Sequence, residues 1–197
     1  MSFEEAQFQQ ANSVPLSRRG TWVFVVGPSG AGKDTMMRLA KDMAADCPRI
    51  IFVRRTVTRP ENAFEDHDTA TEERFLELQK AGEFVLTWQA HGLHYGIHRC
   101  WQDRVNQGCV VVGNISRTMV SYARQNLGNV AIVLVTAPNE ILLQRIAARG
   151  RDQAAGSRTS RNLNQTMADH VDVIINNVGL RQDGASQLAI FLKKLAG

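Results

Sequence analysis

Nine consecutive residues, Gly27-Pro28-Ser29-Gly30-Ala31-Gly32-Lys33-Asp34-Thr35, combine the residue types that hold a polyphosphate. The glycines let the backbone bend tightly and turn its N–H groups toward one point. A helix starting there adds partial positive charge at the same point. Lys33 adds a full charge that can reach β- and γ-phosphates. The chemistry this implies is binding of a nucleoside triphosphate and transfer of its terminal phosphoryl group. The plainer alternative is a glycine-rich turn that only joins strand to helix. A lysine in register, with an apolar strand before the loop and a helical pattern after it, argues against that. The position after the lysine usually carries Ser or Thr, whose hydroxyl ligates Mg²⁺. Here it is Asp34, followed by Thr35. A carboxylate is a hard-oxygen ligand for Mg²⁺, and the Thr35 hydroxyl is the other candidate, so both stand as metal-site residues.

Two arginine groups supply further phosphate chemistry. Arg54, Arg55 and Arg59 lie within six positions, directly after the apolar run Ile50-Ile51-Phe52-Val53. Open α/β sheets bind ligands beyond the carboxyl ends of their strands, so these arginines are candidate phosphate ligands and not merely a solvated loop. The second group is Arg145 and Arg149, four apart on one helical face, with Arg151, Arg158 and Arg161 beyond them among Gly, Ser, Thr and Ala. Residues 149–161 read as an arginine-rich lid, or on composition alone as a solvated basic loop.

The elements that position these groups follow from hydrophobic patterning. Apolar runs at Thr21 to Val26, Ile50 to Val53, Cys109 to Gly113, Val130 to Val135 and Val171 to Ile175 read as buried strands. Helical spacing follows the glycine loop at Met36, Met37, Leu39, Ala40 and Met43, and recurs from Trp101 to Gln107, Met119 to Asn126, Asn139 to Arg149 and Asp183 to Leu195. Five apolar strands alternating with helices predict an α/β three-layer sandwich with a five-stranded parallel sheet. Residues 54–98 break the alternation. They contain a Thr71-capped helix running to about Ala81, a short strand from Phe84 to Trp88, and a returning segment ending near Ile97. They are expected to form a small insert beside the main sheet. Residues 1–19 are polar and read as a loose tail, leaving 20–197 as one domain.

Composition bounds the partners. Hydrophobic residues make up 44% and charged residues 21%, with a net charge of +4, which suits an anionic small substrate. No long Lys/Arg run or aromatic-basic interleaving favours nucleic acid. No apolar run reaches membrane-spanning length. Three cysteines, Cys47, Cys100 and Cys109, show no zinc spacing and read as reduced thiols in a cytoplasmic protein.

The loop from Gly27 to Lys33, Thr58-Arg59, the stretch from Phe84 to Tyr95-Gly96, the arginine lid and Ile175-Asn176 together resemble the guanylate kinase family over about residues 21–195. That resemblance implies a nucleoside monophosphate kinase core with an acceptor-binding insert and a lid. The acceptor site departs from the family. The glutamate that reads guanine falls on Leu86, the phosphate-binding tyrosine of the insert falls on His67, and the acidic pair of the third core strand appears as Asn114 and Ser116. Leucine cannot accept hydrogen bonds from guanine, and burying those donors unpaired costs ~1–3 kcal/mol each.

The substitutions resemble one branch of that family, the ribose 1,5-bisphosphate phosphokinases of bacterial phosphonate breakdown. The features shared with it are Gly32-Lys33-Asp34, Thr58-Arg59-Pro60, Glu65-Asp66-His67, the stretch from Trp88 to Ile97, and Ala148-Arg149-Gly150-Arg151. The resemblance implies transfer of the ATP γ-phosphate to ribose 1,5-bisphosphate, with Mg²⁺, by a monomer or homodimer. It implies roles for Lys33, Arg145, Arg149 and Arg151 at the transferring group and for Asn176 near adenine. It assigns Arg54, Arg55, Arg59, His67, His91, Tyr95, Asn114 and Ser116 to the acceptor. Arg158 and Arg161 remain alternatives for a further lid residue, and His94 is equally a structural residue or a substrate contact. Two other readings remain open: a nucleoside monophosphate kinase of altered base specificity, and a non-catalytic guanylate kinase-like interaction module, which would need neither Lys33 nor the lid arginines.

Overall fold

The computed structural model describes residues 20–60, 67–147 and 171–197. The tail 1–19, Glu65-Asp66 and the lid 149–161 with Arg149, Arg151, Arg158 and Arg161 lie outside the described residues. The first sheet contains β1 (Thr21–Val26), β2 (Ile50–Phe52), β7 (Val110–Asn114), β8 (Val130–Thr136) and β9 (Val173–Asn176), in the order β2-β7-β1-β8-β9. All four pairings are parallel. β1 lies at the centre, and every one of its residues is buried. Its side chains alternate between the two faces. Trp22, Phe24 and Val26 join one apolar cluster, while Val23 and Val25 join the other. Burial on both faces explains why the strand reads as an unbroken apolar run.

Helix α1 (Lys33–Met43) covers one face beside the C-terminal helix α6 (Arg181–Ala196). Met36 and Ala40 pack in the same cluster as Leu188, Ala189 and Leu192. α5 (Asn139–Ala147) contributes Leu142 to that layer. The opposite face is covered by α3 (Cys100–Asn106) through Val105 and by α4 (Val120–Asn126) through Val120 and Ala123. Arg49 ties the layers together, donating to the carbonyls of Gly108 and Ala196.

The second sheet has the order β4-β3-β6-β5, built from β3 (Arg55–Val57), β4 (His67–Thr69), β5 (Phe84–Ala90) and β6 (Leu93–His98). Helix α2 (Glu72–Lys80) begins at Thr71, whose hydroxyl accepts the Arg74 N–H. Val57, Leu86, Trp88, Tyr95 and Ile97 bury against the same apolar cluster as Trp22 and Phe24 of β1. The second sheet therefore shares a core with the first.

Several expectations shift. β2 is half-buried and not buried, because it is an edge strand paired only with β7. β5 runs on to Ala90, since Ala90 pairs with Leu93 across a two-residue turn. β9 begins at Val173, after Asp172 has accepted the Ile132 N–H on its carboxylate. α6 begins two residues before Asp183, whose carboxylate accepts the Leu180 N–H.

Candidate active site

The glycine loop leaves β1 at the carboxyl edge of the first sheet and turns directly into α1. At Gly27 the backbone runs against β8, and a Cβ there would stand 2.0 Å from the Val135 carbonyl oxygen. Gly32, the N-cap of α1, has φ 87° and no side chain to cap the helix. The first amides of α1 are therefore left for a ligand, which makes this end an anion site. The Lys33 ammonium donates to the carbonyls of Gly27 and Pro28 at 2.9 and 3.0 Å. The charge is thus held over the loop whose amides would take the phosphates. Ser29 is exposed at the tip, while Gly30 and Ala31 are buried.

Asp34 does not stand alone. Its Oδ1 accepts a 2.7 Å hydrogen bond from Nδ2 of Asn114, the last residue of β7. Asn114 is only 6% exposed, and its Oδ1 is buried without a hydrogen-bond partner among the described residues. The acceptor role expected of Asn114 is thus accompanied by a contact to the P-loop helix. Ser116 lies two residues on, where its hydroxyl accepts the Thr118 N–H and pairs with the Thr118 hydroxyl. Neighbouring Arg117 is partly buried, and desolvation lowers its guanidinium pKa from the ordinary value.

Mg²⁺ fits this donor set. The ion takes oxygen ligands, usually one or two carboxylates plus substrate phosphates and water. Among the described residues there is no cluster of three acidic, His or Cys side chains that would form an all-protein cage. Asp34 offers one carboxylate at the phosphate loop, Thr35 follows it, and the unpartnered Asn114 oxygen lies alongside.

The second wall of the loop comes from a residue the sequence reading passed over. Asn176 ends β9 and is exposed, whereas Asn177 is buried. Asn177 Nδ2 donates to the Ala31 carbonyl at 2.8 Å, and its own carbonyl accepts from Arg145 Nη2 at 3.1 Å. A Cβ at Gly32 would meet Asn177 Nδ2 at 2.5 Å, and one at Gly30 would meet the Leu142 carbonyl at 2.9 Å. The loop is therefore clamped between α5 and the start of the chain to α6. Arg145 is brought to it with Nη1 buried and unpartnered among the described residues. The signal for Asn177 was an Asn-Asn pair at a strand end; only strand register tells which of the two turns inward.

Six of the acceptor candidates lie in or beside the second sheet, whereas Asn114 and Ser116 stand at and just beyond the end of β7 in the first. Arg55 stands over the Tyr95 ring at 5.6 Å, and Tyr95 stacks on Trp88 with centroids 5.4 Å apart and planes 7° from parallel. Arg54 forms an ion pair with Asp68 at 3.1 Å and donates to the His67 carbonyl. His67 is fully buried, pairs with Arg55 across β3 and β4, and has no partner for Nε2 among the described residues. The Arg59 carbonyl accepts from Thr69. Two histidines are occupied differently. His91 is exposed in the β5–β6 turn with φ 52°, beside Gly92 at φ 71°. His94 faces Glu72 at 3.3 Å and packs on Phe75, so it fastens α2 to the hairpin. Leu86 is 1% exposed inside the shared apolar cluster. Thr87, on the opposite side of the strand, accepts from Gln79.

A strand, a glycine loop with its lysine over a bare helix end, and a second sheet lined with arginines define a P-loop kinase of the guanylate kinase type. The match to an AAA domain over residues 23–165 agrees. So does the fold of guanylate kinase from Anaplasma phagocytophilum, which superposes with a TM-score of 0.63 at 19% identity, covering 89% of this chain and 87% of that one. Within that class the chain belongs to the ribose 1,5-bisphosphate phosphokinase family. It is 48% identical to the ribose 1,5-bisphosphate phosphokinase PhnN of Rhodopseudomonas palustris, covering 81% of both chains. It is 46% identical to the protein of that name from Methylobacterium radiotolerans, over 88% of this chain and 98% of that one.

Proposed function

We propose that the protein transfers the γ-phosphoryl group of ATP to the 1-phosphate of ribose 1,5-bisphosphate, forming 5-phosphoribosyl 1-diphosphate and ADP in bacterial phosphonate degradation. The observation that carries this is the pairing of an intact phosphate loop with an acceptor wall that is rich in cations and lacks a base reader. Leu86 is sealed in the core, so no carboxylate faces a purine from that position. Arg55, Arg59, His67 and Tyr95 remain to meet two phosphates, each carrying about −1.5 to −2 charge near neutral pH.

In the reaction a 1-phosphate oxygen bonds to the γ-phosphorus while the bond from that phosphorus to the β–γ bridging oxygen breaks, leaving ADP. The attacking oxygen is already ionised, so no general base is required. Catalysis is positioning and charge neutralisation. Lys33 and the amides of the loop hold the triphosphate, Asn177 fixes the loop, and Arg145 adds positive charge beside it. Arg149 and Arg151 act on the transferring group from the lid. Asp34 or Thr35 would hold Mg²⁺, which would supply neutralisation of phosphate charge. Asn176 lies near the adenine. The protein acts on these small molecules in the cytoplasm, as a monomer or homodimer; no helix among the described residues is long and apolar enough to cross a membrane. Neither nucleotide kinase activity nor a purely binding role is favoured.

The test is incubation with ATP, Mg²⁺ and each of ribose 1,5-bisphosphate, ribose 5-phosphate and GMP. Product should form from the bisphosphate, with none at C1 of ribose 5-phosphate and little GDP. Brisk GDP formation without 5-phosphoribosyl 1-diphosphate would overturn the proposal.

A further inference from the structure

We propose that Asp34 and Asn114 form a transposed metal-anchoring pair, in which Asn114 is the positioning partner of the Asp34 carboxylate and not an acceptor ligand. The inference rests on the phosphoryl-transfer reading but not on the identity of the acceptor. P-loop enzymes commonly hold Mg²⁺ between a hydroxyl on the helix after the lysine and a carboxylate from a neighbouring strand. In this chain the carboxylate, Asp34, is on the helix, and the neutral side chain, Asn114, is at the strand end. The two are 80 residues apart in sequence and joined by a 2.7 Å hydrogen bond.

Two observations support the exchange. Asn114 sits opposite Val25 in the β1–β7 register, two residues short of Gly27, so it is fixed by the same sheet that launches the loop. A carboxylate oxygen accepts only, so the Asn114 atom facing Asp34 must be the amide nitrogen. That fixes the flip and leaves Oδ1 as the spare atom, and Oδ1 is the one buried without a partner.

The experiment uses the full chain and five proteins: wild type, Asp34→Ser, Asn114→Ala, the exchange Asp34→Ser/Asn114→Asp, and Lys33→Ala as the control for nucleotide binding. Mn²⁺ binding is titrated by electron paramagnetic resonance with a non-hydrolysable ATP analogue present, and turnover is measured alongside. Asp34→Ser should weaken Mn²⁺ binding about tenfold or more, because the charged oxygen is lost. The exchange should recover affinity to within about threefold of wild type, because it restores the commoner arrangement. Asn114→Ala should weaken Mn²⁺ binding by about tenfold or more at unchanged acceptor KM. A folded exchange variant no better than Asp34→Ser would overturn the proposal. Should the exchange fail to fold, Asn114→Ala carries the test alone: unaltered Mn²⁺ affinity with a raised acceptor KM would return Asn114 to the acceptor site. If wild type bound the Mn²⁺–nucleotide complex no better than Lys33→Ala, the kinase reading itself would fail, and that result is separate from the others.

Discussion

In the five-stranded sheet every residue of β1 is buried, whereas along β5 of the second sheet buried positions alternate with partly exposed ones. The difference follows from what covers each sheet. The first has helices on both faces, so its strands carry no chemistry in their middles and deliver it only from their carboxyl ends. There the groups available to phosphates are largely backbone: loop amides, the uncapped start of α1, and one lysine. The second sheet presses one face onto the shared core and leaves the other accessible, and what it offers an acceptor is side chains: Arg55, with Tyr95 and His67 themselves buried beside it. A backbone site tolerates little change in geometry and accepts any polyphosphate. A side-chain site can exchange one acceptor for another while the fold persists. Under the proposed function, donor recognition and acceptor choice are stored in different parts of the molecule, and separate substitutions should reach them.

The largest effect should come from trying to convert the acceptor site at one position. Leu86→Glu restores the residue type that reads guanine, but at a site sealed among Val57, Trp88 and Ile97. An unpaired buried charge costs about 3–5 kcal/mol. The variant should show a sharply lowered melting temperature and no gain of GMP phosphorylation. A stable variant that made GDP would mean that acceptor choice resides in this single residue.

Next in size is Lys33→Ala, which strikes the donor end alone. The ammonium donates to the carbonyls of Gly27 and Pro28, and Lys33 belongs to neither apolar cluster. Turnover should fall by roughly 10²–10³-fold, as for loss of one charge-stabilising donor, with the melting temperature almost unchanged. Near-normal turnover would remove the loop from the mechanism.

Asn177→Ala should be intermediate and should touch both stability and turnover. It leaves the buried Ala31 carbonyl without its donor, a loss of about 1–3 kcal/mol. It also frees the loop to move relative to Arg145, and a displacement of about 1 Å at a reacting centre can cost ~10²-fold. Asn176→Ala, one residue away and exposed, should leave stability unchanged; equal destabilisation of the two variants would contradict the clamp.

The two ends also differ in how much of them could be read from sequence. The parallel sheet, the glycine loop and Lys33 were legible because each is a local pattern: apolar runs of strand length, and a loop whose flanks follow within a few residues. The half-buried state of β2 was not, since its Ile-Ile-Phe run looks like any central strand, and edge position is a property of topology. The Asp34–Asn114 bond was hidden because its partners are 80 positions apart. Asn177 was hidden beside Asn176, which the family resemblance favoured. The turn at His91-Gly92 was legible, but the φ of 52° at His91 was not, since that conformation is more often taken by Asn or Asp before glycine. Leu86 looked like an absent reader; the structure adds that it is a core residue.

The smallest expected effect is also the sharpest test of the acceptor end. Tyr95→Phe removes one hydroxyl and keeps the ring that stacks on Trp88 and lies under Arg55. The stack should therefore survive, with the melting temperature within about 2 °C of wild type. If the hydroxyl donates to an acceptor phosphate, its loss removes about 1–1.5 kcal/mol of binding, which raises the acceptor KM by roughly 5–13-fold. That contact is present before and during transfer, so kcat should not change. The KM for ATP should not change either, because Tyr95 lies on β6 of the second sheet and not in the phosphate loop. A fall in kcat at constant KM would place the hydroxyl at the transferring group and erase the division between the two ends. No change in any constant would move the acceptor off this stack, toward His67 and Arg59.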